Sequence, residues 1–347
     1  MLKRQFLKTT PILKTTLCLA TAAAIGVSTS AAIAQESDQG GQYIMGTATT
    51  GGTFYPVGVA LSTLVRVKLE PTHGISVSAI SSAGSAENLR LMDDSQAQFG
   101  ILQALYGAWA WSGEGPVPKA YDNVRSISML WQNVEHFVMR DELVETGTID
   151  DLAQLYGRGF SIGARNSGTE GSGRQILAGL EIDPEQLNIA YLGYSASADS
   201  MQNGNIDGMN IPAGVPASAV TSAYANMGGD ITTLNVTAEQ LERINGQYPV
   251  WSAFDIPADT YPGQEAPINT ISQPNILVVN ADVPEEHVYQ ITKAMFENLP
   301  FLNNIHPATR DMTLEKALDG LPMPLHPGAA RYFQEQGMEI PEHLLEG

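Results

Sequence analysis

A glycine-rich loop near the start of the chain contains residues that could bind an anion. Residues 46–56 read GTATTGGTFYP, which nearly has the spacing of a phosphate-binding loop, with Gly46, Gly51 and Thr53 in register. Gly52, however, stands where such loops carry the lysine that reaches the β- and γ-phosphates of a nucleotide. Glycines let the backbone approach a ligand closely, and free N–H groups at a helix start favour anions. The loop therefore predicts a site for a small carboxylate rather than for a nucleotide.

Three later turns lie in the same kind of position, each near a strand end and a helix start. They read SSAGSAEN in residues 81–88, RNSGTEG in residues 165–171 and IPAGVP in residues 211–216. The first two combine glycine with hydroxyl groups, whereas two prolines stiffen the third, which is either a wall of a ligand cleft or only a loop corner. Ser85 also fits a helix N-cap with Asn88 three residues on, so capping alone explains the first of these turns equally well.

Three further side chains are candidate ligand contacts, each with an ordinary alternative. Arg165 could pair with a carboxylate through two hydrogen bonds, but it also fits an exposed arginine on an acidic protein. Tyr55 follows the first loop closely and is placed to lie over a ligand. Gln103 follows an apolar strand and could offer its amide, although a contact within the turn explains it as well.

Catalytic motifs are missing from the sequence. The six histidines show no H-E-x-x-H or other metal-ligand spacing, and there is no G-x-S-x-G nucleophile turn. The single cysteine, Cys18, lies near the N-terminus. We therefore expect neither enzymatic activity nor a metal or other cofactor.

The net charge excludes some classes of partner, and the N-terminal sequence predicts the location of the protein. The 347-residue chain has a net charge of −19, which argues against nucleic acid and anionic lipid as partners. Residues 1–34 join a basic start to an apolar stretch and end in small residues, as a secretory signal peptide does. We expect cleavage after Ala34 and a periplasmic, monomeric protein without disulfides. The basic residues of this segment are Lys3, Arg4, Lys8 and Lys14.

The pattern of elements predicts two α/β lobes. Strand-like runs alternate with helical runs, first up to about residue 102 and again from Phe160 onward, which favours parallel sheets with ligand loops at the carboxyl ends of their strands. Apolar runs at residues 127–140 and 271–280 are expected to cross between the lobes. The resulting prediction is a fold like that of type II periplasmic binding proteins. Its predicted segments are a signal peptide in 1–34, lobe I in 41–134, lobe II in 135–274, and a return strand with C-terminal helices on lobe I in 275–347.

Seven segments together resemble the TAXI family, the extracytoplasmic solute-binding proteins associated with TRAP transporters. The resemblance spans essentially the whole chain after residue 34, and the segments occur in the family's order. They are GTATTGGTFYPVG, SSAGSAENLRLM, GARNSGTEGSGR, YLGYSASADSMQNGNIDG, IPAGVPASAV, IPADTYPGQ and GLPMPLHPGAARYF.

The resemblance implies a small organic anion bound between the lobes and delivered to a TRAP-type membrane permease driven by an ion gradient. Acidic amino acids such as glutamate, dicarboxylates and oxo acids are ligands in that family. One departure is that Arg165-Asn166 stands where the family commonly has Pro-Gly, so the geometry at the ligand carboxylate is open. Carried onto this chain, the implied contacts are Gly52, Thr53, Tyr55, Ser82, Ser85, Gln103, Ser167, Gly168, Thr169, Gly214 and Val215.

Two other functions remain open from the sequence. A periplasmic sensor module that binds a similar ligand and signals to a membrane receptor would share the same cleft. An enzyme using that cleft is the third possibility, against which the missing nucleophile and metal motifs argue.

Overall fold

The computed structural model of the protein describes residues 40–345, so the predicted signal peptide in 1–34 lies outside the described residues. The strands are β1 Gln42–Gly46, β2 Ser76–Ile80, β3 Phe99–Gln103, β4 Val124–Val134, β5 Phe137–Arg140, β6 Gly159–Ser161, β7 Asn188–Ala190, β8 Gly208–Asn210, β9 Ile231–Thr233, β10 Ser252–Ile256 and β11 Ile268–Asn280. The α-helices are α1 Phe54–His73, α2 Ser85–Asp93, α3 Ala104–Ser112, α4 Gly168–Gly179, α5 Tyr194–Gln202, α6 Ser218–Met227, α7 Ala238–Ile244, α8 Glu285–Glu297, α9 Leu299–Asn303 and α10 Pro327–Glu335.

The strands form two sheets, which we use to define the two lobes. The sheet of lobe I has the order β10-β11-β3-β1-β2, with β4 also paired to β11, and the sheet of lobe II has the order β7-β6-β8-β5-β9. Strands β1, β2 and β3 are parallel, as are β6, β7 and β8. Their carboxyl ends therefore lead into helices on one edge of each sheet, where ligand loops are expected.

A long strand, β4, carries the chain from lobe I into lobe II. β4 pairs with β11 in antiparallel orientation from Val124 to Val134 and continues through residues 135–136 into β5 of the second sheet. The predicted crossing run at 127–140 is thus two strands, separated at the boundary between the sheets. β10 falls in the range predicted for lobe II, yet it hydrogen-bonds to β11 in the first sheet. The chain has therefore returned to lobe I before β11 begins, and the run predicted to cross at 271–280 lies within the first sheet.

The helix that follows the first loop illustrates how the sequence directs these elements. In α1, Val57, Leu61, Leu64 and Val65 are buried, which is the apolar stripe that their spacing predicts. The helix begins at Phe54, two residues before Pro56, and ends at His73. Gly74 follows in the left-handed conformation, which glycine adopts without steric cost. None of the helices within 40–345 combines the length and the apolar character needed to cross a bilayer.

Candidate functional site

Five helix starts converge on one cavity between the lobes. α1, α2 and α3 contribute from lobe I, and α4 and α5 contribute from lobe II. The first N–H groups of an α-helix have no partner within the helix and carry a partial positive charge. At four of these five starts the N-cap residue's own side chain makes no capping bond, the exception being α4, where Ser167 Oγ accepts from the N–H of Glu170. Two first-turn N–H groups have partners elsewhere, since Leu105 in α3 donates to Gln273 Oε1 and Glu87 in α2 donates to the carbonyl of Asn166. The cavity is therefore lined by backbone donors suited to an anion.

The cavity has no charged side chain among the described residues that line it. Seven of the twelve predicted ligand contacts are brought together there: Gly52, Thr53, Ser85, Gln103, Ser167, Gly168 and Thr169. Its other lining residues include Thr49, Phe54, Tyr194 and Pro212. An anion in this cavity would be stabilised by helix dipoles and hydroxyl groups rather than by a cation.

The two lobes are closed on each other. Thr53 Oγ1 accepts a hydrogen bond from the N–H of Gly214 at 2.9 Å and lies 3.3 Å from its carbonyl oxygen, to which it can donate. The carbonyl of Gly51 accepts from the N–H of Ala219 at 3.1 Å and from Ser218 Oγ at 3.0 Å. The space left between the lobes is about 20 Å³, measured for the centre of a water molecule, which holds about one water. A solute larger than water can therefore enter only when the lobes separate.

Two glycines allow this close approach. A Cβ atom on Gly168 would lie 2.6 Å from Ser85 Oγ and 2.8 Å from Gln103 Cδ, both in lobe I. A Cβ atom on Gly52 would lie 2.7 Å from the ring of Tyr194 in lobe II. Side chains at either position would hold the lobes apart.

Tyr194 is the contact that sequence reasoning missed. Its hydroxyl donates to the carbonyl of Pro212 at 2.8 Å, which leaves it to accept from Thr169 Oγ1 at 2.7 Å. Burial raises its pKa well above the ordinary value, so the phenol is neutral and keeps its proton for Pro212. Tyr194 thereby fixes the orientation of the predicted Thr169 hydroxyl. The segment YLGYSAS could have predicted this contact, because it combines glycine and hydroxyl residues at a helix start, as the other loops do.

Gln103 and Ser85 form one unit at the ends of two lobe I elements. Ser85 Oγ accepts from the backbone N–H of Gln103 at 3.1 Å. Gln103 is 2% exposed, and its Oε1 has no hydrogen-bond partner among the described residues. Because a buried polar atom without a partner costs free energy, this amide oxygen is an acceptor available to a donor group of a ligand.

Five predicted contacts do not line the cavity. Tyr55 is half-buried in the first turn of α1, and Ser82 Oγ is engaged with the carbonyl of Thr47 and the side chain of Asn88. The Ser82 hydroxyl thus stabilises its own turn and does not face the cavity.

The remaining three lie in lobe II. The exposed guanidinium of Arg165 stacks over Tyr191, 3.7 Å from its ring centre, which holds it away from the cavity. Gly214 contacts Thr53, as described above, and Val215 is half-buried beside a cis peptide bond to Pro216. Gly214 thus acts in closing the lobes.

Metal ligation has no support in the described residues, where no three His, Cys, Asp or Glu side chains are grouped to hold an ion.

Comparison with known proteins places the chain in a family. The model of the NMT1-like family matches residues 45–337. This chain belongs to the NMT1-like family. The match covers both lobes of the NMT1-like protein, including every helix start that lines the cavity.

Solved structures with low sequence identity share the fold of this NMT1-like protein. MatC from Rhodopseudomonas palustris, solved with bound malate, is 11% identical with a TM-score of 0.54, covering 84% of this chain and 98% of that chain. A protein from Bordetella bronchiseptica RB50 is 11% identical with a TM-score of 0.50, covering 85% and 82%. The periplasmic aliphatic sulphonate binding protein SsuA from Escherichia coli is 12% identical, covers 84% and 82%, and has a TM-score of 0.43. The predicted fold, like that of periplasmic binding proteins, is confirmed.

Proposed function

We propose that this protein is the periplasmic solute receptor of a TRAP-type transporter of the TAXI kind, and that it captures a small organic anion for an ion-gradient-driven permease. The observation that carries the proposal is the convergence of five helix starts, with no basic side chain, on one cavity between two lobes. Such a site matches a carboxylate, whose single charge is satisfied by backbone N–H groups and hydroxyls.

The closed arrangement supports a receptor in which the ligand bridges the lobes. Donors from α1, α2 and α3 lie on one side of the cavity, and those from α4 and α5 lie on the other. A carboxylate that contacts both sets favours closure, because it binds the closed form better than the open one. Closure then distinguishes a loaded receptor from an empty one for a membrane partner.

We propose a receptor rather than an enzyme, because the cavity is lined by no nucleophile with an adjacent base. The hydroxyls of Thr53 and Thr169 are hydrogen-bonded to Gly214 and Tyr194, and no histidine or carboxylate of the described residues lines the cavity. Both hydroxyl protons are thus directed at protein oxygens, and no base is placed to remove them.

The proposal is tested by a thermal-shift screen of the purified protein without residues 1–34, against C2–C6 mono- and dicarboxylates, oxo acids and amino acids. A ligand that binds only the folded protein raises the melting temperature by mass action. We expect a saturable rise for at least one class. A complete screen without any rise would contradict the proposed function.

A further inference from the structure

A second group of buried polar side chains lies beside the cavity. Every member has a nitrogen or oxygen atom without a hydrogen-bond partner in residues 40–345, and every member is at most 3% exposed. This group, which we call the crossover cluster, comprises Asn133, Glu135, Asn210, Trp251, Gln273 and Asn275.

The sheet register connects the crossover cluster to the cavity. Asn275 on β11 lies opposite Gln103, which lines the cavity, and Gln273 lies opposite Asn133 on β4. Residues opposite each other share a face of a sheet, as do residues two apart in one strand. Gln103, Asn275, Gln273 and Asn133 therefore follow one face, and Glu135 comes two residues after Asn133.

Glu135 occupies the point where β4 passes into lobe II. The neighbouring residues pair across this junction, since Val134 bridges Ala213 and the carbonyl of His136 accepts from the N–H of Ile211. Glu135 thus lies across from Pro212, which lines the cavity. The charge of Glu135 also contributes to the raised pKa of Tyr194, another lining residue.

The carboxyl group of Glu135 lacks the partner that a buried acid needs. Burial raises its pKa to about 8, and Asn210 and Trp251 offset part of this effect, but neither meets hydrogen-bond geometry with its oxygens. The adjacent His136 supplies no cation, because burial lowers its pKa to about 4 and its ring is bonded to Tyr261 and the carbonyl of Ile211. Glu135 forms no ion pair within the described residues.

Buried polar atoms without hydrogen-bond partners reduce the stability of the protein unless a bound group supplies those partners. Native proteins satisfy nearly all buried polar groups, and a buried carboxylate is retained where a cation or several donors meet it. Amide groups alone could be satisfied by water. The acid at the end of their line is what favours a cation over water, because a cation beside it stabilises its ionised form.

We propose that the crossover cluster is the subsite for a protonated amino group of the solute, with Glu135 as its counter-ion. The solute is then a zwitterion of the amino acid type rather than a dicarboxylate or an oxo acid. This inference rests on the proposed function, which supplies the carboxylate end of the ligand at the helix starts. The amides of Asn133, Gln273 and Asn275 follow the sheet face between Gln103, which lines the cavity, and Glu135.

The test is calorimetric titration with matched pairs of acids that differ only by the amino group: L-glutamate with glutarate, L-leucine with 4-methylpentanoate, and L-alanine with propionate. The proteins are the wild type, Glu135→Gln and the control Glu142→Gln, which alters an exposed glutamate. In wild type and control we expect an amino member to bind at least about tenfold more tightly than its partner. Glu135→Gln is expected to remove that preference, while the affinity for the partner acid changes less than about threefold.

A second readout needs no variant. Because Glu135 is mostly protonated before binding, an amino acid that ionises it releases about one proton near pH 7, measurable from heats in buffers of different ionisation enthalpy. Equal or tighter binding of the acids without the amino group, or no proton release, would overturn the inference and leave the receptor function standing. Failure of every acid in both series to bind would overturn the proposed function and this inference with it.

Discussion

The hydroxyl of Thr53 and the backbone of Gly214 form a two-way hydrogen-bond contact across the cleft, with Oγ1 2.9 Å from the nitrogen and 3.3 Å from the oxygen. Thr53 precedes α1 in lobe I, and Gly214 belongs to the proline-flanked turn of lobe II. The hydroxyl therefore reports closure directly, because separation of the lobes breaks both interactions at once.

Replacing Thr53 by Ala is expected to weaken ligand binding by about 1–3 kcal/mol, because the buried Gly214 backbone loses its partner in the closed form. The measurement is titration calorimetry with a carboxylate identified by the thermal-shift screen. Thr53→Ser is the matched control, since it keeps the hydroxyl and is expected to bind nearly as the wild type does. Unchanged affinity in Thr53→Ala would remove this contact from the mechanism of closure.

Replacing Tyr194 by Phe tests the residue that connects Thr169 to Pro212. We expect a loss of about 1–2 kcal/mol in binding, since Pro212 loses a donor and Thr169 loses its fixed orientation. Tyr191→Phe serves as the control, because the Tyr191 hydroxyl accepts from Arg174 and the residue does not line the cavity. Equal effects of both variants would show that the Tyr194 contacts do not act on the ligand.

Replacing Gly168 by Ala places a methyl group against Ser85 and Gln103 in the closed form. We expect binding to fall at least about tenfold, as overpacking costs roughly 1–3 kcal/mol, while the open protein remains folded. Gly229→Ala is the control, because no atom lies within 4 Å of the Cβ position there. Small-angle scattering at saturating ligand provides a second measurement, and normal compaction of Gly168→Ala would contradict the close approach seen here.

Replacing Arg165 by Ala tests whether this cation supplies charge to the ligand. Its stacking on Tyr191 predicts an affinity within about twofold of the wild type, since an exposed cation outside the cavity is screened by solvent. Calorimetry at low and high salt checks this expectation. A loss of tenfold or more that disappears at high salt would mean that Arg165 turns into the cleft when ligand binds.

The pH dependence of stability isolates Glu135. Its pKa is about 8 in the folded protein against an ordinary value of 4.5, so between these values the folded state binds more protons than the unfolded chain. The free energy of unfolding is therefore highest at low pH and, through this group, falls by up to about 5 kcal/mol as the pH rises toward 8.

Denaturant unfolding of the unliganded wild type and of Glu135→Gln, from pH 5 to 8, measures the contribution of Glu135 to the free energy of unfolding. His136, with its lowered pKa, contributes in the opposite sense as pH falls below its ordinary value, but it does so in both proteins and cancels in their difference. We expect the stability of Glu135→Gln relative to wild type to rise with pH. If the free energies of unfolding of the two proteins changed with pH in parallel, the carboxyl group of Glu135 would not have the raised pKa that its burial implies.

The sequence allowed the prediction of those features that are local. Glycine and hydroxyl residues at strand ends mark turns that expose backbone N–H groups, so Gly52, Ser85 and Gly168 could be assigned to a ligand loop. The same reasoning placed the helix after the first loop to within two residues at its start, because the spacing of its apolar residues is a local property.

Features that depend on the meeting of distant segments could not be predicted in this way. Tyr194 reaches the cavity only because the lobes close over Gly52, and Arg165 turns aside because Tyr191 offers its ring. The hydroxyl of Ser82 is used within its own turn. Polar residues inside β4 and β11, such as Asn133 and Asn275, were not singled out from the sequence, because only the register places them on one buried face.

The central claim is that a small carboxylate is held by the helix starts of both lobes, and a crystal structure of the protein with its tightest-binding acid tests it most directly. We predict a carboxylate in the cavity that accepts hydrogen bonds from backbone N–H groups at the starts of α1 or α2 and of α4, with Gln103 within bonding distance of the ligand. A ligand bound outside this cavity, or one whose carboxylate is held by Arg165 instead of by the helix starts, would contradict the account.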